Sequence, residues 1–202
     1  PDGTLWQFTS YYSVDEQFGG GRQGSHATIF AARRQADGRW TRLGPVAEPR
    51  ALGKTYCGDP YAFHDVAGRP CLVYTVCDGS RGFADYRHLG AHLLRSASDS
   101  FAGPWSAPIV LFDGLPCREH DDRVNCLRIF PRHQQGDHLV CWIHGEADIC
   151  LRGHLLRDLA TGLDHQTLLT APILIHNQEE GGGGFVKDGV AYLSTWQIPS
   201  IN

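Results

Sequence analysis

The stretch Asp188-Gly189-Val190-Ala191-Tyr192-Leu193-Ser194-Thr195-Trp196 decides how the rest of the chain reads. A Gly-containing turn is followed at once by a run of β-branched, aromatic and aliphatic residues. Such a turn supplies positive φ between two strands, and the run suits a pleated, half-buried surface. The same arrangement occurs three times upstream, as Asp2-Gly3-Thr4-Leu5-Trp6-Gln7-Phe8-Thr9, as Gly68-Arg69-Pro70-Cys71-Leu72-Val73-Tyr74-Thr75, and as Gly136-Asp137-His138-Leu139-Val140-Cys141-Trp142. The turn glycines lie 65, 68 and 53 positions apart.

A second pattern alternates with the first. It is a strand, a polar turn, then Gly and usually Trp. One copy runs from Ala27 through Ile29 and Phe30 to Asp37-Gly38-Arg39-Trp40. Another runs from His92-Leu93-Leu94 to Gly103-Pro104-Trp105, and a third from His154-Leu155-Leu156 to Gly162, without the Trp. Two interleaved repeats are what stacked four-stranded antiparallel blades produce, because each blade buries its faces only against its neighbours. The fold expected is therefore all-β, a β-propeller, with about three and a half blades over residues 1–50, 51–115, 116–170 and 171–202 of a single domain. The period exceeds the roughly 40–50 residues of familiar propeller repeats and implies long loops. A β-sandwich also has short strands and Gly turns, but does not account for two alternating repeats. With 24 glycines, 11 prolines and no long 3.6-residue periodicity, helices are not expected.

Composition narrows the partners. The 202 residues are 42% apolar and 20% charged, ordinary for a globular protein. A formal net charge of -4 argues against nucleic acid or an anionic membrane as the main partner. No apolar run reaches the roughly 18 residues of a membrane span. Secreted and cytoplasmic locations both fit. The chain begins on Pro1 and has no Met, which points to a processed, trimmed or partial product; the remainder of a longer chain or another subunit is then an expected partner. The seven cysteines include no C-x-x-C pair, so a structural zinc site is not expected, and Cys71 and Cys141, inside apolar runs, read as buried small hydrophobes. His26, His88, His92 and His138 are scattered, with no metal-ligand spacing.

In a propeller, chemistry collects where the first strands of the blades converge on the axis. Three polar residues fall just upstream of the turn glycines: Asp59, nine before Gly68; Asn125, eleven before Gly136; and Glu180, nine before Gly189. They are read as equivalent positions of three successive blades. Two carboxyl groups facing each other across a sugar are what glycosidic bond cleavage requires. A polar residue at a strand start is also common without any catalytic role.

These motifs resemble those of glycoside hydrolase family 43 and the related families 32, 62 and 68, which are five-bladed propellers. Glu180 to Leu193 looks like the E-G-P motif, apolar strand, D-G turn and Y-Y-L strand that carry the family's general acid, with Gly182 where Pro is usual. Arg95-Ser96-Ala97-Ser98-Asp99 with Gly103-Pro104-Trp105-Ser106 looks like its S-x-S-D … G-P-W-S turn, and Asp59-Pro60 with Phe63 resembles the D-P strand that opens a blade. The resemblance spans essentially the whole chain. It implies a glycosidase acting on furanose- or pentose-containing glycans such as arabinan or arabinoxylan, with Glu180 as general acid. That role requires the Glu180 pKa to rise toward neutrality, by burial or through a nearby carboxylate such as Glu179 or Asp59.

Asp59 would orient the sugar or tune Glu180. Asn125 or Asp122, with His64, Trp142, Trp196 and Tyr12, would contact the substrate by hydrogen bonding or stacking; for the tryptophans, blade packing is the simpler role. The family's base or nucleophile would fall upstream of Pro1, and its third acid near Asn125, where an amide is an incomplete substitute. No cofactor is implied beyond a structural calcium or sodium ion near the axis. A non-catalytic carbohydrate-binding or protein-interaction propeller is the competing expectation. A sialidase-like propeller ranks below both, since no set of three arginines stands out.

Overall fold

A computed structural model describes the backbone of residues 3–14, 25–54, 56–65, 67–77, 88–116, 124–132, 137–144, 150–156, 173–176, 179–188 and 190–197. Side chains are described for 3–11, 27–54, 56–65, 67–76, 90–111, 188 and 190. The described residues form thirteen strands: β1 (Trp6–Val14), β2 (Ser25–Arg34), β3 (Trp40–Ala47), β4 (Tyr56–His64), β5 (Pro70–Cys77), β6 (His88–Arg95), β7 (Ile109–Pro116), β8 (Val124–Arg132), β9 (Asp137–His144), β10 (Cys150–Leu156), β11 (Ile173–His176), β12 (Glu179–Lys187) and β13 (Val190–Gln197). A 3-10 turn, Arg50–Leu52, connects β3 to β4.

The strands form antiparallel meanders. β1, β2 and β3 make the first, β4 to β7 the second, β8 to β11 the third, and β12 with β13 the fourth. Among the described residues a parallel pair, Ala27 with Tyr56, ties the first meander to the second. The first strands of successive meanders are neighbours, β8 lying against β4 and β12 against β8.

Burial follows this stacking. β5 reads Pro-Cys-Leu-Val-Tyr-Thr-Val-Cys, with almost no polar alternation, as a strand covered on both faces does. Leu72, Tyr74 and Val76 point into one core with Ile29, Ala47, Cys57 and Leu94, between the first and second meanders. Cys71, Val73 and Thr75 are buried as well, with Ala91 and Leu93. β1, by contrast, alternates: Trp6 and Phe8 are half-buried, while Gln7, Thr9 and Tyr11 are exposed.

The Ser96–Ser106 segment between β6 and β7 folds over the seam between the first two meanders. Ser96 Oγ donates to the Ser100 carbonyl (2.7 Å), and Ser98 Oγ to the Gly103 carbonyl (2.9 Å). An isolated bridge pairs Ser96 with Trp105. This places Phe101 and Trp105 against β1, with ring centroids of Phe8–Phe101 at 5.8 Å, Phe8–Trp105 at 6.0 Å and Trp6–Phe101 at 6.4 Å. Trp105 of the G-P-W motif is thus a packing residue.

Cys71 is a buried free thiol as expected, and so is Cys57. Burial pushes the Cys57 thiol up to about 12; for Cys71 burial, then the Asp65 carboxylate, pushes it to about 11. Cys141 lies in β9, outside the residues whose side chains are described.

Candidate functional site

The candidate site sits on the first strands of three meanders, and each of these strands carries a bulge. In β4 the pairing with β5 steps from Gly58–Thr75 to Tyr61–Val73. In β8 it steps from Asn125–Ile143 to Arg128–Cys141. In β12 it steps from Gly181–Thr195 to Gly183–Ser194. One extra residue is accommodated each time, which bends the strand and re-aims its side chains. Local sequence supports the bulge in β4, because Pro60 has no N–H to give a ladder and is tolerated where pairing is interrupted.

Counted from the last regular pair before the bulge, the three candidates are not equivalent. Asn125 is that residue in β8, Glu180 precedes it by one in β12, and Asp59 follows it by one in β4. The residue at the Glu180 register in β4 is Cys57, and the one at the Asp59 register in β12 is Gly182. The expected equivalence came from counting back from the turn glycines. The hairpin loops differ in length: five residues between His64 and Pro70, four between Arg132 and Asp137, and two between Lys187 and Val190. Distance from the turn glycine therefore does not fix the register within the first strand.

Asp59 is half-buried with φ 49°, a left-handed backbone conformation that Asp tolerates better than most residues. The Tyr56 hydroxyl donates to its Oδ2 at 3.5 Å. Opposite the bulge stands Tyr74, fully buried, whose hydroxyl meets no hydrogen-bond acceptor or donor among the described residues. Burial, then the neighbouring Cys57, raises the Tyr74 phenol above its usual value. The Tyr74 ring packs edge-on against His92 at 5.7 Å.

The other candidates divide by place. Glu180 pairs across the strand with Trp196, and Asn125 with Ile143, next to Trp142. Tyr12 pairs with Ala27, the residue bridged to Tyr56, so Tyr12 lies on the same sheet row as the start of β4. Described side chains do not include those of Glu180, Asn125, Trp142, Trp196 or Tyr12, and Asp122 lies outside the described residues.

His64 sits at the hairpin end of β4, five residues from Asp59 or roughly 17 Å along the strand. Its ring packs on Phe101 at 4.9 Å. Tyr56 and Gly58 were not singled out in the sequence. The only signal there was a Gly immediately before Asp59-Pro60. Among the described residues no group of three or more His, Cys, Asp or Glu side chains could hold a metal ion. A cleft of about 470 Å³ opens elsewhere, between Gly3–Leu5 and the β2–β3 turn, lined by Arg34 and Gln35 and carrying none of these groups.

Stacked antiparallel meanders whose first strands converge are the geometry that decides the architecture. The chain folds as blades of a β-propeller. No family model and no curated protein sequence matches it. Solved structures with similar backbones do exist. An inulosucrase from Halalkalicoccus jeotgali bound to kestose is 15% identical, with a TM-score of 0.58 over 92% of this chain and 53% of its own. A Bombyx mori GH32 β-fructofuranosidase in complex with sucrose is 14% identical, with a TM-score of 0.62 over 98% of this chain and 42% of its own.

An α-L-arabinanase from Penicillium chrysogenum complexed with arabinobiose is 13% identical, with a TM-score of 0.52 over 95% and 53%. This propeller chain therefore spans about half the length of the structures it matches. At such identities the likeness establishes the fold shared with these propeller glycosidases, and nothing finer.

Proposed function

We propose that this propeller belongs to a glycoside hydrolase acting on furanose- or pentose-containing glycans, of family 43 type, with Glu180 as general acid and Asp59 orienting the sugar or tuning Glu180. One observation carries the reading. The β4, β8 and β12 first strands are neighbours in space, and two of them bear a carboxylate residue within one position of a bulge. Bulges at strand starts re-aim side chains and concentrate at active sites. The names of the structures sharing the fold, which include a fructofuranosidase and an arabinanase, support a sugar-cleaving role and leave arabinan and fructan as rival substrates.

Glycoside hydrolysis needs an acid to protonate the leaving oxygen and a second carboxylate to activate water or attack. Glu180 and Asp59 supply two carboxyl groups. By the family resemblance the base or nucleophile is a further Asp that neither of these supplies. No metal-dependent step is needed for this chemistry; a calcium or sodium ion near the axis remains a proposal from resemblance alone. Asn125, an amide on the bulge pair of β8, favours a second reading, in which the propeller binds a glycan without cleaving it.

Sugar release from aryl arabinofuranosides, arabinan, arabinoxylan, sucrose and inulin separates the readings. Cleavage of one of these by the protein, with a loss on the order of 10²–10⁴-fold in Glu180→Gln at unchanged stability, is the expected result. Glycan binding without any cleavage would establish the recognition module instead.

A further inference from the structure

Tyr56 sits where the chain is held on both sides. Its backbone pairs with Cys77 of β5 and, through a parallel bridge, with Ala27 of β2. Its side chain is 2% exposed. From this fixed point the ring runs along the strand toward the bulge, crossing the space beside Gly58. A Cβ at Gly58 would run into the Tyr56 hydroxyl and its ring carbons Cζ and Cε1. Gly58 has no positive φ among the strained glycines, so its lack of a side chain is explained by this ring and by nothing in its own backbone.

The hydroxyl ends at Asp59 Oδ2, 3.5 Å away. That contact is long for an O–H···O bond, as hydrogen bonds of a site without substrate often are. Asp59 itself occupies a left-handed backbone position.

We propose that Tyr56 is a positioning residue for Asp59, its buried ring held in the groove that Gly58 leaves open so that its hydroxyl fixes the carboxylate at the β4 bulge. The consequence for sugar cleavage rests on the glycosidase reading; the geometric claim does not. A carboxylate displaced by even an ångström loses much of its effect on a reacting centre. The ring is a rigid spacer with a donor at its tip, while the wall beside it is a glycine that any substitution would fill.

The test uses the whole protein with Tyr56→Phe, which keeps the ring and removes the donor, and Gly58→Ala, which keeps the donor and displaces the ring. Two readouts are taken: crystal structures of the wild type and the Phe variant, for the Asp59 carboxylate orientation, and kcat and KM on whichever glycan the protein cleaves. The expected result is one Asp59 rotamer in the wild type and several in Tyr56→Phe, with kcat down about tenfold, KM within twofold, and no added loss when Gly58→Ala is combined with it. Spread rotamers in a protein that cleaves no glycan uphold the positioning role and overturn the glycosidase reading. An unchanged Asp59 rotamer in Tyr56→Phe overturns the positioning role, whatever the activity.

Discussion

Asp59 combines two properties that pull in different directions. Its side chain is the described carboxylate of the candidate site, and its backbone is left-handed at φ 49°. Glycine takes that conformation without steric cost, whereas alanine does not. Asp59→Gly is therefore expected to be about 1 kcal/mol more stable than Asp59→Ala, since both lose the same contact with Tyr56 and differ only in the Cβ. Urea unfolding midpoints of the two variants check this, with equal midpoints refuting the strained conformation. The Asp59-Pro60 pair was readable in the sequence as a site candidate. The conformation of Asp59 was not, because it arises from a bulge against β5, where Gly58 pairs with Thr75 and Tyr61 with Val73.

At the scale of elements, hairpins do two separate jobs. They set where each blade turns, and their lengths decide which residues of the first strand face which of the second. The β4–β5 hairpin is organised by Asp65, 3% exposed, whose Oδ1 accepts from the backbone N–H groups of Ala67 (3.0 Å) and Arg69 (2.9 Å). Its Oδ2 accepts from Arg69 Nε at 2.9 Å and pairs with Nη2 at 2.8 Å. Burial is the largest single influence on this carboxyl and pushes its pKa up. The Arg69 and Ala67 N–H groups and the Arg69 charge together outweigh it, so the value falls below the usual carboxylate range.

A carboxyl depressed by folding adds stability above its unfolded pKa of about 3.9, and that stability is lost as pH falls through the lower folded value. Asp65→Asn is expected to cost about 1–2 kcal/mol at pH 7. The gap between variant and wild type should begin to narrow below about pH 4 and keep narrowing as pH falls through the lower folded value, as thermal melts from pH 7 down to about pH 2 would show; a gap independent of pH would mean the charge is irrelevant. The Gly turn after each first strand was legible from residue types alone. The differing loop lengths were not, and they moved Glu180, Asn125 and Asp59 onto three successive registers.

For the whole molecule, stability lies in the seams between blades as much as within them. Phe101 joins the first blade to the second through Trp6, Phe8, His64 and Trp105. Phe101→Ala should cost about 2 kcal/mol, less than for a fully buried ring. Hydrogen exchange should speed up in β1 and β2 before β5; uniform loss across all three would show that the seam is not a separate unit. The sequence by itself determined that the chain is all-β, that its strands recur as alternating hairpin patterns, and that Cys71 is a buried small hydrophobe within an apolar run, because period, turn residues and apolar runs are local properties of the chain. The tertiary structure alone decided the bulges, the Tyr56–Gly58–Asp59 contact and the neighbouring order of β4, β8 and β12, because each depends on pairing between residues far apart along the chain.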